Sequence, residues 1–342
     1  MRDVIGWAVV HALWEDAILA VFTAGVLSLV PYRFARLRHA IACVVLALMV
    51  IAPLVTAATA LDPIGRPVRR TMSETIDGAI GLSTVVSWRR GVVIGAAWFW
   101  AAGAAVWLMR IVIERRRTSS FLRRATPASL DVDRRVAQMA AHLNVTRSVQ
   151  VLCADIAVPL VAGWRRPALV LARDAEDASR SDDWSAIVAH ELAHIRRHDT
   201  LINGLQLVAE GVLFFHPAAR WMAARARVER EYCCDDIASA WTGDPIRYSR
   251  ALAALEESRQ PVRLAVAAAS GSLLDRIQRL TGLRRRVVTA RGTALAGLAS
   301  LVAAVIFALS FVVPPIIPLD AKLRARTPYR PSIGEPHSSV PR

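Results

Sequence analysis

At residues 190–194 the chain reads His190-Glu191-Leu192-Ala193-His194, directly after the apolar-periodic run Trp184 to Ala189. That run predicts a helix, and residues one turn apart on a helix lie on the same face, so both imidazoles can bind one zinc ion. Glu191 is next to the first imidazole, where it can take a proton from a water that attacks a polarised peptide carbonyl. The spacing therefore predicts a zinc-binding helix with Glu191 as the general base.

The third metal ligand must come from a distant part of the chain, because a catalytic zinc ion normally takes three protein ligands and keeps one position for water. We expect this ligand to be Glu231, which precedes Asp235 by one helical turn. One carboxylate can then bind the metal while the other orients a ligand histidine. Glu210 is the competing third ligand because it is closer in sequence to the histidines. Cys233 and Cys234 are weaker alternatives as soft ligands.

Several polar residues near these motifs allow more than one interpretation. Asp199 can orient a ligand histidine, or it can cap a helix that starts at Thr200. Tyr248 can donate a hydrogen bond to a developing oxyanion, although a single tyrosine on a helix more often packs in a core. We interpret Glu229 as a surface salt-bridge residue and His198 as a solvated or capping histidine.

The bulk composition indicates a membrane protein. The chain has 342 residues, of which 54% are hydrophobic, a net charge of +15 and a mean hydropathy of +0.36. Long uncharged runs alternate with arginine-rich stretches, which is typical of bilayer spans and their flanks. Because the arginines cluster beside the apolar runs, we assign them to anionic lipid and expect no direct binding of nucleic acid.

Four apolar segments are long enough to cross about 30 Å of hydrocarbon as helices. They lie near 10–31, 39–61, 91–113 and 293–315. We therefore predict a mainly α chain with four transmembrane helices. The predicted parts are a membrane region at 1–113 with an outer loop at 62–90, a zinc metallopeptidase domain at 114–291, a fourth span at 292–315 and a short, disordered tail at 316–342.

The first span is the least regular of the four because it contains acidic residues. Glu15 and Asp16 would be costly deep in lipid, so we expect the stretch His11 to Asp16 at the interface. Trp7 and Trp14 are the expected interfacial anchors. An interfacial helix is the alternative for this segment.

Arginine-rich turns predict the orientation of the spans. The turn after the first span contains Arg33, Arg36 and Arg38, and a second arginine cluster follows the third span from Arg110 to Arg117. Both clusters favour the cytoplasm. We therefore expect a cytoplasmic domain between the third and fourth spans, and both termini outside.

Within that domain we predict mostly helix with a small sheet. Ser129 or Asp131 can cap a helix that runs to about residue 142. The segments Val149 to Cys153 and Ala168 to Ala172 are predicted strands, separated by a turn at 159–163. The second strand precedes the zinc-binding helix, and we expect it to pair at a sheet edge with an extended peptide substrate.

Together these motifs resemble those of the BlaR/MecR family of integral-membrane zinc metallopeptidases. The resemblance extends from the His11-Ala12-Leu13-Trp14 start to the fourth span. The segments that carry it are Pro159 to Gly163, His190 to His194 with Arg197 and Asp199, Phe215-His216-Pro217 with Trp221, and Arg230 to Asp235. The two zinc motifs in this order, between a third and a fourth span, are its specific part.

The resemblance implies a gluzincin-like helical domain on the cytoplasmic side of the bacterial plasma membrane. It implies a Zn²⁺ ion held by His190, His194 and Glu231, with Glu191 as the base. Members of the family typically sense a signal outside and cleave, or promote cleavage of, a cytoplasmic winged-helix repressor of the BlaI/MecI kind. Membrane lipid and such a protein substrate are the implied partners, and a homodimer is compatible with this interpretation.

The sequence departs from β-lactam-sensing members after the fourth span, where residues 316–342 contain no penicillin-binding domain and no serine in an SxxK motif. We therefore expect no direct β-lactam recognition. Two other functions stay open. One is a membrane-protein quality-control peptidase similar to the HtpX or CAAX-prenyl-protease group. The other is a non-catalytic membrane transducer in which zinc only stabilises the domain.

Overall fold

A computed structural model of the chain describes residues 2–61, 82–173, 179, 181–258 and 272–283. The predicted fourth span, the predicted tail and most of the predicted outer loop lie outside the described residues. The helices are α1 (Arg2–Leu29), α2 (Ala35–Leu61), α3 (Leu82–Arg124), α4 (Leu130–His142), α5 (Asp182–Arg196), α6 (Asp199–Val212), α7 (Pro217–Thr242), α8 (Pro245–Ser258) and α9 (Ser272–Leu280). The strands are β1 (Thr126–Pro127), β2 (Gln150–Ala154), β3 (Leu160–Ala162) and β4 (Ala168–Ala172).

The first three helices are long and apolar enough to cross a membrane. Their candidate spans are Ile5–Leu29, Tyr32–Ala58 and Gly91–Arg124. α1 packs against both α2 and α3, so the three helices form a bundle. Three of the four predicted spans are therefore confirmed as helices of membrane length and composition.

Two features of this bundle differ from the sequence-based expectation. α1 starts at Arg2, before the predicted first span, and its candidate span Ile5–Leu29 includes the stretch His11 to Asp16. The interfacial position of that stretch stays a prediction. Glu15 and Asp16 are buried against the protein, which keeps their carboxyl groups away from lipid. α3 starts inside the predicted outer loop and continues unbroken past residue 114, where we placed the domain boundary.

The sheet of the domain is small and mixed, with the strand order β1-β2-β4-β3. β2 pairs in parallel with β4, while β1 and β3 pair antiparallel at the two edges. The two predicted strands are confirmed, but β3 forms within the predicted turn. Gly163 permits the reversal between β3 and β4, because its φ of +82° is a conformation that other residues rarely adopt. β4 is therefore a central strand, and the expected edge pairing of a substrate with Ala168 to Ala172 is wrong.

α5 lies in the middle of the domain core. Val188, Leu192 and Ile195 are at most 1% exposed and pack in one cluster with residues of α4, β4 and α8. Burial of each such side chain stabilises the fold by roughly 1.5–3 kcal/mol. Because this whole face of α5 is enclosed, the rotation of the helix about its axis is fixed, and with it the direction of the other faces.

α7 connects the domain to the membrane bundle. Its first half packs on α2 through small and flexible side chains, among them Ala219, Met222 and Ala223 against Leu46 and Met49. Its second half packs on α5 and α8. A single helix of 26 residues therefore contacts both the spans and the core of the domain.

Candidate metal centre

The local sequence of α5 explains how the helix presents its histidines. The Ser181 hydroxyl accepts a hydrogen bond from the Trp184 backbone N–H at 3.1 Å, and acidic residues occupy the first turn, where the helix dipole favours them. With the apolar face buried, His190 and His194 project together from another side. Their ring centroids are 5.0 Å apart and the ring planes are 88° apart.

Glu231 on α7 completes a cluster with these two histidines. Its Oε2 lies 3.4 Å from Nε2 of His190, and its Oε1 lies 4.0 Å from Nε2 of His194. The potential ligand atoms all lie within 4.8 Å of one another. Two imidazole nitrogens and a carboxylate oxygen at this spacing fit a zinc ion, whose bonds to such atoms are about 2.0–2.2 Å long.

Tyr248 and Asp235 fix the orientation of His190. The Tyr248 hydroxyl lies 2.9 Å from Nδ1 of His190 and donates to Oδ1 of Asp235 at 2.8 Å. Because its own proton is directed at Asp235, the hydroxyl accepts from the Nδ1–H of His190. Nε2 is then the nitrogen whose lone pair would bind a metal, and it is the nitrogen that faces Glu231.

His194 is held from its Nδ1 side as well. Oδ2 of Asp199 accepts a hydrogen bond from this nitrogen at 2.9 Å, and Sγ of Cys234 lies 3.3 Å from both of these atoms. These residues form a second group of potential metal ligands by distance. Burial raises the pKa of the Cys234 thiol well above its usual value, so the thiol keeps its proton and donates to Asp199.

Arg276 on α9 compensates the carboxylates behind His190. Its Nε and Nη2 donate to the two oxygens of Asp235 at 2.9 and 2.6 Å, and its Nη1 lies 3.9 Å from Oε2 of Glu231. Burial by itself would raise the pKa of Asp235, but Arg276 and His190 together hold it below its usual range. Asp235 therefore stays ionised and remains an acceptor for Tyr248.

The cluster has the charge distribution of a cation site. Burial would raise the pKa of Glu231, but hydrogen bonding to His190 outweighs burial and lowers the pKa to about 2. Burial would lower the pKa of His190, but its contacts with Asp235 and Glu231 raise the pKa to about 9. Without a metal, the His190 imidazolium balances these carboxylates, and a divalent ion can take that place by displacing the proton.

The structure separates the residues that competed with Glu231 for a metal role. Glu210 lies on α6 and accepts from Nη1 of Arg227 at 2.5 Å, so it is not among the converging residues. Glu229 forms a salt bridge as predicted, but the expected surface position is wrong, because Glu229 is fully buried and accepts from Nε of Arg38 at 2.7 Å.

The remaining predicted residues are placed as follows. Glu191 is half-buried on α5, directly after His190, and its role as general base stays a prediction. Asp199 is the first residue of α6 and the acceptor for His194. His198 is exposed and precedes α6 with a left-handed backbone. Tyr248 is fully buried, and its hydroxyl contacts His190 and Asp235, a geometry that supports positioning of His190. Oxyanion donation by Tyr248 stays a prediction.

Sequence reasoning missed Arg276. This arginine lies on a separate short helix, and its partner Asp235 is 41 positions away in the chain. The available signal was the amphipathic stretch 272–280, which indicates a helix that packs on the domain but does not say which acid its arginines meet.

Comparison with known proteins places this site within a described family. The family model for the BlaR1 peptidase M56 matches residues 9–280, which include most of the first candidate span, the other two candidate spans and the whole metal cluster. A relative is the regulatory protein BlaR1 of Bacillus licheniformis, which is 32% identical over 77 residues. The aligned segment covers 22% of this chain and only 13% of that relative.

Proposed function

The chain belongs to the BlaR1 peptidase M56 family, and we propose that it is a membrane-bound, zinc-dependent endopeptidase that acts in signal transduction. The observation that carries the proposal is the convergence of His190, His194 and Glu231, with a separate hydrogen-bond partner behind each imidazole. Partners of this kind set the tautomer and the ring orientation of ligand histidines and increase their basicity.

Each residue of the centre has a role in the proposed hydrolysis. His190 and His194 would hold the zinc ion through Nε2, and Glu231 would hold it through a carboxylate oxygen. When bound, the ion supplies polarisation of the scissile carbonyl and activation of a water. Glu191 takes the proton of the attacking water and returns it to the leaving amine. Tyr248 keeps the ring of His190 in the orientation that ligation needs.

We propose that an extended peptide substrate pairs with β3. This strand contacts α5 and pairs on one side with β4, and in the described part of the chain its other side has no paired strand. Main-chain hydrogen bonds to such an edge give affinity for a peptide without a strict sequence requirement. The peptide would then run along α5, past the metal cluster.

The proposed substrate is a cytoplasmic winged-helix repressor of the BlaI/MecI kind, which the enzyme cleaves or causes to be cleaved. The relative's name, a regulatory protein, supports a regulatory role. The arginines in the turn between α1 and α2, and those near the end of α3, support a cytoplasmic domain. Such a repressor could reach the metal cluster only in that orientation.

The test uses the full-length protein in lipid nanodiscs, with zinc content and cleavage of a purified BlaI-type repressor as readouts. Glu191→Gln should keep zinc and lose cleavage by a factor on the order of 10²–10⁴. Glu231→Ala should lose zinc and cleavage, whereas Glu210→Gln, the matched control, should keep both. Undiminished cleavage by Glu191→Gln would refute the proposed base. If Glu191→Gln still derepressed a reporter gene in cells, the protein would be a non-catalytic transducer.

A further inference from the structure

The hairpin formed by α6 and α7 contacts the membrane helices at residues well inside their candidate spans. The indole N–H of Trp107 donates to the Leu207 carbonyl, and that of Trp100 donates to the Val212 carbonyl, both at 2.9 Å. The ring of Phe99 packs on that of Phe214, with centroids 5.4 Å apart. The C-terminal half of α6 therefore lies directly against α3.

The third candidate span sets the depth of these contacts. Its uncharged part runs from Gly91 to Met109, before Arg110, and measures about 28 Å at the helical rise, close to a hydrocarbon thickness of about 30 Å. Trp107 then lies about 4 Å inside the hydrocarbon, and Trp100 lies near the bilayer midplane. Since Trp107 meets residue 207 and Trp100 meets residue 212, α6 runs antiparallel to α3 and ends near the middle of the membrane.

A contact on a different helix supports this depth. His216, which directly precedes α7, is buried, and its Nε2 lies 3.2 Å from the carbonyl oxygen of Leu13. Leu13 lies well inside the candidate span Ile5–Leu29. The turn of the hairpin is therefore enclosed by α1 as well as by α3.

The side of α6 that faces away from the protein is apolar throughout. We define the outer face of α6 as Leu201, Gly204, Leu205 and Val208, which recur at helical spacing. Leu205 is 63% exposed and Val208 is 58% exposed. None of these residues is polar, although a helix on the surface of a soluble domain carries its polar residues on this side.

The polar residues of the hairpin face inward and pair with one another. Glu210 is buried and accepts from Arg227, and the side-chain oxygens of Gln206 and Asn203 accept from Nη1 of Arg230 at 3.2 and 3.1 Å. Polar side chains turned inward and apolar side chains turned outward are typical of helices surrounded by lipid. Arg220, exposed near the start of α7, has the long side chain that can snorkel towards the headgroups.

We propose that the α6–α7 hairpin is embedded in the leaflet nearest the peptidase domain and that lipid acyl chains cover the outer face of α6. This face continues the lipid-exposed surface of α3, on which Val106 and Leu108 are also exposed. The hairpin does not cross the bilayer, because its turn near the midplane reverses the chain into α7. The proposal depends on these contacts and not on proteolytic activity.

The embedded hairpin places the metal cluster at the membrane surface. α6 starts at Asp199, about 12 Å along the helix from residue 207. Because residue 207 contacts Trp107 about 4 Å inside the hydrocarbon, Asp199 lies about 8 Å outside it, at the depth of the lipid headgroups. Asp199 holds His194 directly. If the chain is the endopeptidase proposed above, it cuts peptide bonds that lie close to the bilayer surface.

Site-directed spin labelling in lipid nanodiscs tests the outer face. Single variants Leu205→Cys and Val208→Cys carry a nitroxide, and its collision rates with oxygen and with a water-soluble nickel chelate are measured. Leu108→Cys is the lipid-exposed reference on α3, and Leu130→Cys, 73% exposed at the start of α4, is the reference outside the spans. The native cysteines are buried or half-buried, and unsubstituted protein reports their labelling.

The oxygen-to-nickel ratio at Val208→Cys should match that at Leu108→Cys and exceed that at Leu130→Cys several-fold. A ratio at both hairpin positions equal to that at Leu130→Cys would place the hairpin in water and overturn the proposal. Low collision rates with both reagents would also overturn it, because a protein segment or a second copy of the chain would then cover the face. Zinc content of each labelled variant confirms that it has folded.

Discussion

Replacement of Tyr248 by phenylalanine isolates the hydrogen bond that positions His190. The substitution keeps the buried ring and removes the hydroxyl, which accepts from Nδ1 of His190 at 2.9 Å and donates to Asp235 at 2.8 Å. Asp235 keeps both hydrogen bonds from Arg276, so its charge remains compensated. The substitution therefore mainly affects the orientation and the basicity of His190.

The expected loss of zinc affinity depends on which hydrogen-bond acceptor remains near Nδ1 of His190. Loss of a residue that backs a metal ligand typically lowers metal affinity by about 10–100-fold, or about 1.4–2.7 kcal/mol. Oδ1 of Asp235 is only 3.4 Å from Nδ1 of His190 and can replace the hydroxyl in part. We therefore expect Tyr248→Phe to weaken zinc binding by about tenfold, at the lower end of that range.

Competition with a zinc-binding chromophore measures this affinity, and cleavage at saturating zinc is measured alongside it. Ser249→Ala is the matched control, because Ser249 is the next residue on α8, is also buried, and donates to the Pro245 carbonyl at 2.8 Å. Unchanged zinc affinity in Tyr248→Phe, with cleavage reduced at saturating zinc, would refute the positioning role and restore oxyanion donation. An equal loss in Ser249→Ala would show that the effect is not specific to the metal centre.

Three further predictions concern the same centre. Asp199→Ala removes the hydrogen-bond acceptor of His194 and should lower zinc affinity by about 10–100-fold. The same chromophore competition measures this affinity. Affinity equal to that of the wild type would contradict the proposal that Asp199 positions His194. Arg276→Gln removes the charged partner that donates two hydrogen bonds to the buried Asp235 and should lower the free energy of unfolding by roughly 3–5 kcal/mol. Arg134→Gln, which removes an exposed pair with Asp131, should change it by less than about 1 kcal/mol. Equal denaturation midpoints of these two variants would count against the Arg276 assignment. Because the pKa of His190 is raised to about 9, the metal-free protein holds a proton there at neutral pH, and zinc must displace it. Zinc affinity should therefore rise from pH 7 to pH 9 and level off above that; affinity that is constant over this range would contradict the raised pKa.

Some features were predictable from the sequence because they depend on contacts within one element. His190 and His194 share a helical face as a result of their spacing alone, and the structure places them together. The same holds for the Ser129 cap of α4 and for the long apolar runs that form α1, α2 and α3. In each case the relevant neighbours are a few positions away in the chain, so helix geometry fixes their distance.

Other features depended on which elements pack together. Glu210 and Glu231 are both acids on helices that follow the histidines, and only the packing of α7 against α5 brings Glu231 to the metal cluster while Arg227 engages Glu210. β3 makes β4 a central strand, and strand order is set by pairing between distant segments. Arg276, Tyr248 and the buried Glu229 likewise acquire their roles from partners that no spacing rule connects to them. Contacts along one helix follow from the geometry of the backbone. Contacts between helices and strands depend on how the core packs, because that packing determines which elements are neighbours.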